Sequence, residues 1–330
     1  MASILNADGI PQCGGTLIAP DVVLTAAHCL YLIFNGGSVE VGRYDYGSAD
    51  NFDAFKVVEW KRHPYFSMSE KTNDFLLLFL DAASEFPFVA LNSNANVPST
   101  PGESLHIAGW GSIDASGTKY PYILQEVEVK YMPNEECENS MGFIGRASRS
   151  YHGQIHEEHL CAIDFNEDSC YGDSGGPLVW QDGKSRNPVQ VGLVSWGFAC
   201  SNNNFPGVYA RVSGAYDWIK DTVCERSAYA DKAFDCRKKD GEQCLSDVGC
   251  FSSFCGVEGI CRDAPSPAPS VIKDGKCDTT KDCPVNQTCD KKNCRAGGLL
   301  NGSACSGRKE CLSKRCTRGF CARTGKNRKA

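Results

Sequence analysis

Short apolar runs, broken by clusters of Gly, Asn, Ser and Pro, recur through the first two-thirds of the chain. They are Val22-Val23-Leu24, Val39-Glu40-Val41, Phe75 to Leu80, Leu105-His106-Ile107, Val127-Glu128-Val129, Leu178-Val179-Trp180 and Val189 to Trp196. Their length and turn-rich separators predict the strands of one all-β domain, a barrel or sandwich. The run Phe75 to Leu80 has six residues. That is far short of the roughly 20 needed to span a bilayer, so it reads as a buried strand. In YDWIKDTVC, residues Tyr216, Ile219, Lys220 and Val223 fall at helical spacings and predict a short closing helix.

After Cys224 the periodicity disappears and cysteine takes over. Seven of the 20 cysteines (13, 29, 137, 161, 170, 200, 224) lie in residues 1–224, and the other thirteen lie in 225–330. Twelve of those thirteen form three units, at 244, 250, 255, 261, at 277, 283, 289, 294 and at 305, 311, 316, 321. Units this small cannot bury a sufficient core, so cross-links must supply their order. Four cysteines allow three pairings, and spacing alone leaves all three open. Cys224 and Cys236 remain and can pair with each other. The tail has no histidine and no close Cys-x-x-Cys pair, which favours disulfides over zinc.

These shifts divide the chain into a domain at 1–224, a linker with the first unit at 225–263 and a spacer at 264–273 built on APSPAPS. The second unit follows at 274–296, the third at 297–323 and a basic tail at 324–330. Charge divides the chain in the same place. Residues 1–224 carry 13 basic and 27 acidic side chains, whereas 225–330 carry 21 basic and 13 acidic. The last forty residues hold 12 basic side chains and one acidic. Such an end suits an acidic glycan, matrix or anionic surface partner. Nothing beyond charge points to nucleic acid.

At 330 residues and 42% hydrophobic, the chain can bury a large core. Its cysteine content implies secretion into an extracellular, oxidising setting. Asn286-Gln-Thr288 and Asn301-Gly-Ser303 would then be glycosylation acceptors at Asn286 and Asn301. No signal peptide follows Met1, and Asp8 interrupts any apolar run there, so the expectation is a start set too late. The acidic stretch Asp45 to Asp53 has no clear calcium-ligand pattern and reads as a solvated loop. No metal or other cofactor is expected, and the chain is expected to be a monomer.

Three stretches carry the chemistry: LTAAHC with His28, TNDFLLLFL with Asp74 and DSCYGDSGGPLV with Ser174. Each alone is weak, but the order His, Asp, Ser is specific. A serine hydroxyl becomes a nucleophile only when a neighbouring base takes its proton. His63, His106, His152, His156 and His159 lack this setting and are expected to be structural or exposed.

CGGTLIAP, VVLTAAHC, NDFLLL, IAGWG, CYGDSGGPLV, VSWG, PGVYARV and YDWIK together resemble the chymotrypsin/trypsin family of serine endopeptidases over about Cys13 to Cys224. The resemblance implies two packed six-stranded antiparallel β-barrels with a short C-terminal helix, here followed by small disulfide-stapled repeats. It implies His28, Asp74 and Ser174 as the catalytic triad, and the backbone N–H groups of Gly172 and Ser174 as the oxyanion hole. It places Asp168 at the base of the primary pocket, with Ser195, Gly197, Ala199 and Gly207 also lining the substrate site. That implies cleavage of proteins or peptides after Arg or Lys. Ala199 departs from the glycine usual there, leaving Arg-versus-Lys preference open. Cys13–Cys29, Cys137–Cys161 and Cys170–Cys200 are the implied disulfides.

In this family Asp173 would pair with an amine created by activation cleavage. Only twelve residues precede Cys13, and none forms an IVGG-like segment. MASILNADGIPQ reads as a strand, a hairpin turn at Asn6 to Gly9 and the lead into CGG. The expectation is therefore an endopeptidase whose given chain lacks its activating terminus. The alternative is a zymogen-like or inactive homologue acting as an extracellular binding protein.

Overall fold

A computed structural model describes residues 1–48, 51–114, 116–163, 171–181, 188–198 and 204–237, and the short pieces 249–250, 255, 260–261, 287–290, 293–296, 316–317 and 320–321. The chain forms two compact units, Met1–Cys236 and Arg237–Ala330.

The first unit begins with a sheet of seven strands: β1 (Ala2–Leu5), β2 (Pro11–Ala19), β3 (Val22–Thr25), β4 (Ser38–Val41), β5 (Asp53–Phe55), β6 (Val57–Arg62) and β7 (Leu76–Leu80). Their order is β5-β4-β1-β2-β3-β7-β6. The Asn6 to Gly9 turn joins β1 to β2, with Asn6 Oδ1 accepting the N–H groups of Asp8 and Ile10. Such self-bonding is why Asn serves in turns. The six-stranded ring implied for this half is built differently. β5 and β6 sit at opposite ends of the sheet yet are separated by Lys56 alone. One bent segment thus passes from pairing with β4 to pairing with β7, curling the sheet.

The second half contains β8 (Ala90–Leu91), β9 (Ser104–Gly109), β10 (Gln125–Met132), a separate hairpin of β11 (Met141–Ile144) and β12 (Ala147–Ser150), β13 (His159–Ile163), β14 (Pro177–Trp180), β15 (Val189–Trp196) and β16 (Gly207–Arg211). Neighbours run β14-β9-β10-β13-β16-β15, and β14 also pairs with β15, closing a six-stranded ring. β8 adds to β15 in parallel.

Short helices α1 (Leu30–Phe34) and α2 (Asn134–Glu138) precede the closing helix α3 (Val212–Arg226). The closing helix starts earlier than YDWIK. Its buried stripe is Val212, Ala215, Ile219 and Val223, so Tyr216 and Lys220 lie at the half-buried edges. This stripe joins the same core cluster as the five fully apolar residues of β7. Burying both faces of that strand removes the usual polar alternation. The Cys224–Cys236 disulfide ties the last turn of α3 to the segment after it, whose Ala230 and Phe234 join the same core. Among the described residues no helix is long and apolar enough to cross a membrane.

In the second unit the cysteine repeat has a backbone counterpart. Cys255 pairs with Cys261 across an isolated bridge. Cys289 faces Cys294 between β17 (Gln287–Asp290) and β18 (Asn293–Ala296), and Cys316 faces Cys321 between β19 (Cys316–Thr317) and β20 (Phe320–Cys321). The third and fourth cysteines of each unit are thus cross-strand neighbours. In the first of these four-cysteine repeats the covalent bond joins the second and fourth cysteines, Cys250–Cys261. The glycosylation acceptors Asn286 and Asn301 lie outside the described residues.

Candidate active site

Strand register brings His28 and Asp74 together. Thr25 at the end of β3 lies opposite Leu76 at the start of β7. Three residues beyond Thr25, a 3₁₀ turn over Ala27–Cys29 carries His28; two residues before Leu76 stands Asp74. The loop into Asp74 turns sharply through Lys71 and Asn73, whose φ values are 58° and 51°.

Asp74 is buried and accepts three hydrogen bonds. The His28 backbone N–H donates to Oδ1 at 3.0 Å. His28 Nδ1 lies 2.7 Å from Oδ2, and the Ser195 hydroxyl donates to the same oxygen at 2.5 Å. A carboxylate only accepts, so Nδ1 carries the proton and a neutral ring presents Nε2 as a lone pair. The His28 side chain is about a quarter exposed, against 4% for Asp74, so the imidazole faces outward from a fixed anchor.

Ser174 sits in a turn held on three sides. Its carbonyl accepts the Gly14 N–H at 2.8 Å and lies 3.8 Å from Cys29 Sγ. Gly175 N–H donates to Val194 O, and Val194 N–H donates to Gly176 O. The CGG and GDSGG motifs are therefore packed directly on each other. A Cβ on Gly14 would stand 2.9 Å from Gly176 Cα. At Gly175, φ is +79° and a Cβ would meet Thr25 Oγ1 at 2.2 Å. Both needs leave glycine alone acceptable. The Cys13–Cys29 bond ties β2 to the His28 turn, and Cys137–Cys161 is also formed. Cys13, His28 and Cys29 form the one group of clustered metal-donor types among the described residues, but the disulfide leaves no thiolate to bind an ion.

Gly172 precedes this turn with φ +100°. Asp173 is buried, and its Oδ1 accepts the Gly111 N–H at 2.8 Å. Gly197 is exposed, and a Cβ there would lie 4.0 Å from Gly207 Cα, so these two expected wall positions are neighbours. Asp168, Ala199 and the Cys170–Cys200 pair lie outside the described residues. Ser195 stands among the expected substrate-site residues, but its hydroxyl reaches Asp74. That bond spans 121 positions and is invisible to local pattern. His159, expected to be structural or exposed, is fully buried at the start of β13. Its Nδ1 accepts the His156 N–H at 3.1 Å, and its Nε2 lies 2.9 Å from Lys71 O. Burial lowers its pKa.

Known proteins resemble this chain over the part that carries the site. The Trypsin family model matches residues 1–219. Anionic trypsin of Canis lupus familiaris is 35% identical over 230 residues, covering 68% of this chain and 84% of that protein. Trypsin of Xenopus laevis is 33% identical over 233 residues, covering 66% and 83%. Trypsin delta of Drosophila melanogaster is 31% identical over 220 residues, covering 65% and 80%.

Proposed function

Because this chain belongs to the trypsin family, we propose that it is a serine endopeptidase that hydrolyses peptide bonds after Arg or Lys through an acyl-enzyme. The observation that carries this reading is the bonded chain His28–Asp74–Ser195 beside the fixed turn of Ser174.

In this mechanism Ser174 Oγ attacks the scissile carbonyl as His28 Nε2 takes its proton. Asp74 holds the ring tautomer and stabilises the imidazolium. The backbone N–H groups of Gly172 and Ser174 receive the tetrahedral oxyanion, where negative charge develops. His28 then gives its proton to the leaving amine, and water repeats the sequence to release the acid. Asp168 is assigned to the pocket base, where a carboxylate would pair with a basic side chain. Gly197 and Gly207 leave that pocket open. Asp173 is assigned to holding the oxyanion loop in its working arrangement.

The disulfides suit an extracellular protein. The basic C-terminal segment is assigned to an acidic glycan, matrix or surface partner.

The test is cleavage of peptide amides by the full-length chain. Ser174→Ala should remove nearly all activity, by about 10⁶-fold in kcat. Asp168→Ser should weaken cleavage after Arg and Lys selectively. An unchanged preference in that variant would discard the pocket assignment. A chain that binds peptides without cutting them would support the binding-protein alternative.

A further inference from the structure

Lys71 carries a half-buried ammonium three residues before Asp74. Its Nζ lies 3.9 Å from the ring centroid of Trp196 and 5.6 Å from that of Phe198. Among the described residues no carboxylate lies within ion-pair distance of it. The adjacent Glu70 is instead 3.6 Å from His156 Nε2. Burial holds the Lys71 pKa below its usual range. The indole face offsets part of that cost, but a cation short of counter-charge still gains from an incoming anion.

The place of this cation gives it a use. β15 is paired with the Ser174 turn only as far as Val194, through Gly175 and Gly176. Past Val194, no backbone partner occupies that edge of Ser195 to Gly197 among the described residues. An extended peptide can add along such an edge, with its scissile bond beside Ser174. Trp196 is the middle residue of the edge, and Lys71 covers its ring. The loop is held there by the His159 contact to the Lys71 carbonyl at 2.9 Å.

We propose that Lys71 is a specificity-determining residue, selecting an Asp or Glu side chain in the substrate within four residues of the scissile bond. The inference rests on the endopeptidase reading and adds a second charge requirement to the basic residue it invokes. An extended strand advances about 3.3 Å per residue, so one fixed position would meet the ammonium.

The test uses the full-length chain carrying Ser174→Ala and peptides with one Arg. A single Asp, Asn, Lys or Gln is moved through the three positions before the Arg and the four after it, and binding is read by fluorescence anisotropy. At one position Asp should bind about tenfold tighter than Asn, the range of one charge-assisted hydrogen bond. Lys71→Met should bring the two together, and Lys71→Glu should reverse the preference toward Lys over Gln. Equal binding of Asp and Asn at every position, or an Asp preference that survives Lys71→Met, overturns the proposal. Cleavage is followed in parallel with Ser174 intact. Asp-selective binding without cleavage would count against the endopeptidase reading alone. Cleavage without Asp selectivity would count against Lys71 alone.

Discussion

The Ser195 hydroxyl and the His28 ring share one oxygen of Asp74, at 2.5 and 2.7 Å from Oδ2. Ser195 comes from the closed second ring and His28 from the turn after β3 of the first sheet, so this carboxylate joins the two halves. Ser195→Ala removes one donor and leaves His28 and Asp74 in place. It should lower kcat by about 10- to 100-fold, the worth of one hydrogen bond to a charged group. Asp74→Asn should cost about 10⁴-fold, because it disturbs the tautomer. Steady-state kinetics on one peptide amide would compare the two. Equal losses would mean that Ser195 contributes as much as the carboxylate itself.

Gly175 holds the Ser174 turn by having no side chain. Gly175→Ala combines a left-handed φ with a Cβ aimed at Thr25 Oγ1. The backbone strain alone should cost about 1–3 kcal/mol. The displaced Ser174 should lower kcat further, because small misplacements of reacting groups cost rate heavily. Thermal unfolding together with kinetics would separate the two effects. A variant with parental melting and parental kcat would contradict this account of the turn.

His159 makes stability depend on pH. Its Nδ1 accepts a backbone N–H, so its one proton sits on Nε2, facing the Lys71 carbonyl. Burial depresses its folded pKa from 6.5; the charges of His156 and Lys71 push the same way, and Glu158 and the Lys71 carbonyl oppose. Burial depresses His63 as well. Below pH 6.5 the unfolded chain takes up protons that the folded one refuses. Stability is therefore full above that value and falls as pH drops toward the folded pKa. Each such site can remove up to about 1.4 kcal/mol per pH unit in that window. Melting temperatures between pH 7.5 and 5.5 should fall, and less steeply for His159→Gln. An identical slope in that variant would exclude His159 as a source.

The basic end should bind polyanions by charge. Arg323, Lys326, Arg328 and Lys329 lie within the last eight residues. Replacing all four by glutamine in the full-length chain should shift heparin-resin elution to lower salt, because screening acts directly on such contacts. Coelution of the two proteins would remove this segment as the binding element.

Much of the fold is legible in hydrophobic pattern. Phe75 to Leu80 reads as a buried strand because its neighbours cover both faces, and Val189 to Trp196 reads as one for a similar reason. β2 is harder to see, since Gly14 and Gly15 interrupt its pattern for the sake of close packing rather than strand propensity. The start of α3 is hidden because Val212 and Ala215 lie before the recognisable YDWIK.

The chain's own order of residues was enough to propose His28, Asp74 and Ser174 as a triad, because three motifs in that order are specific where each alone is weak. It was also enough to see three cysteine units, since spacing along a chain is a one-dimensional fact. Which oxygen Ser195 bonds, what the Lys71 ammonium covers and where His159 is buried are facts of another kind. They join residues 88 to 125 positions apart, and strand register and ring closure alone bring such pairs together. Burial then gives them energetic weight, because a charge or an imidazole removed from water must find its partners wherever the packing has placed them.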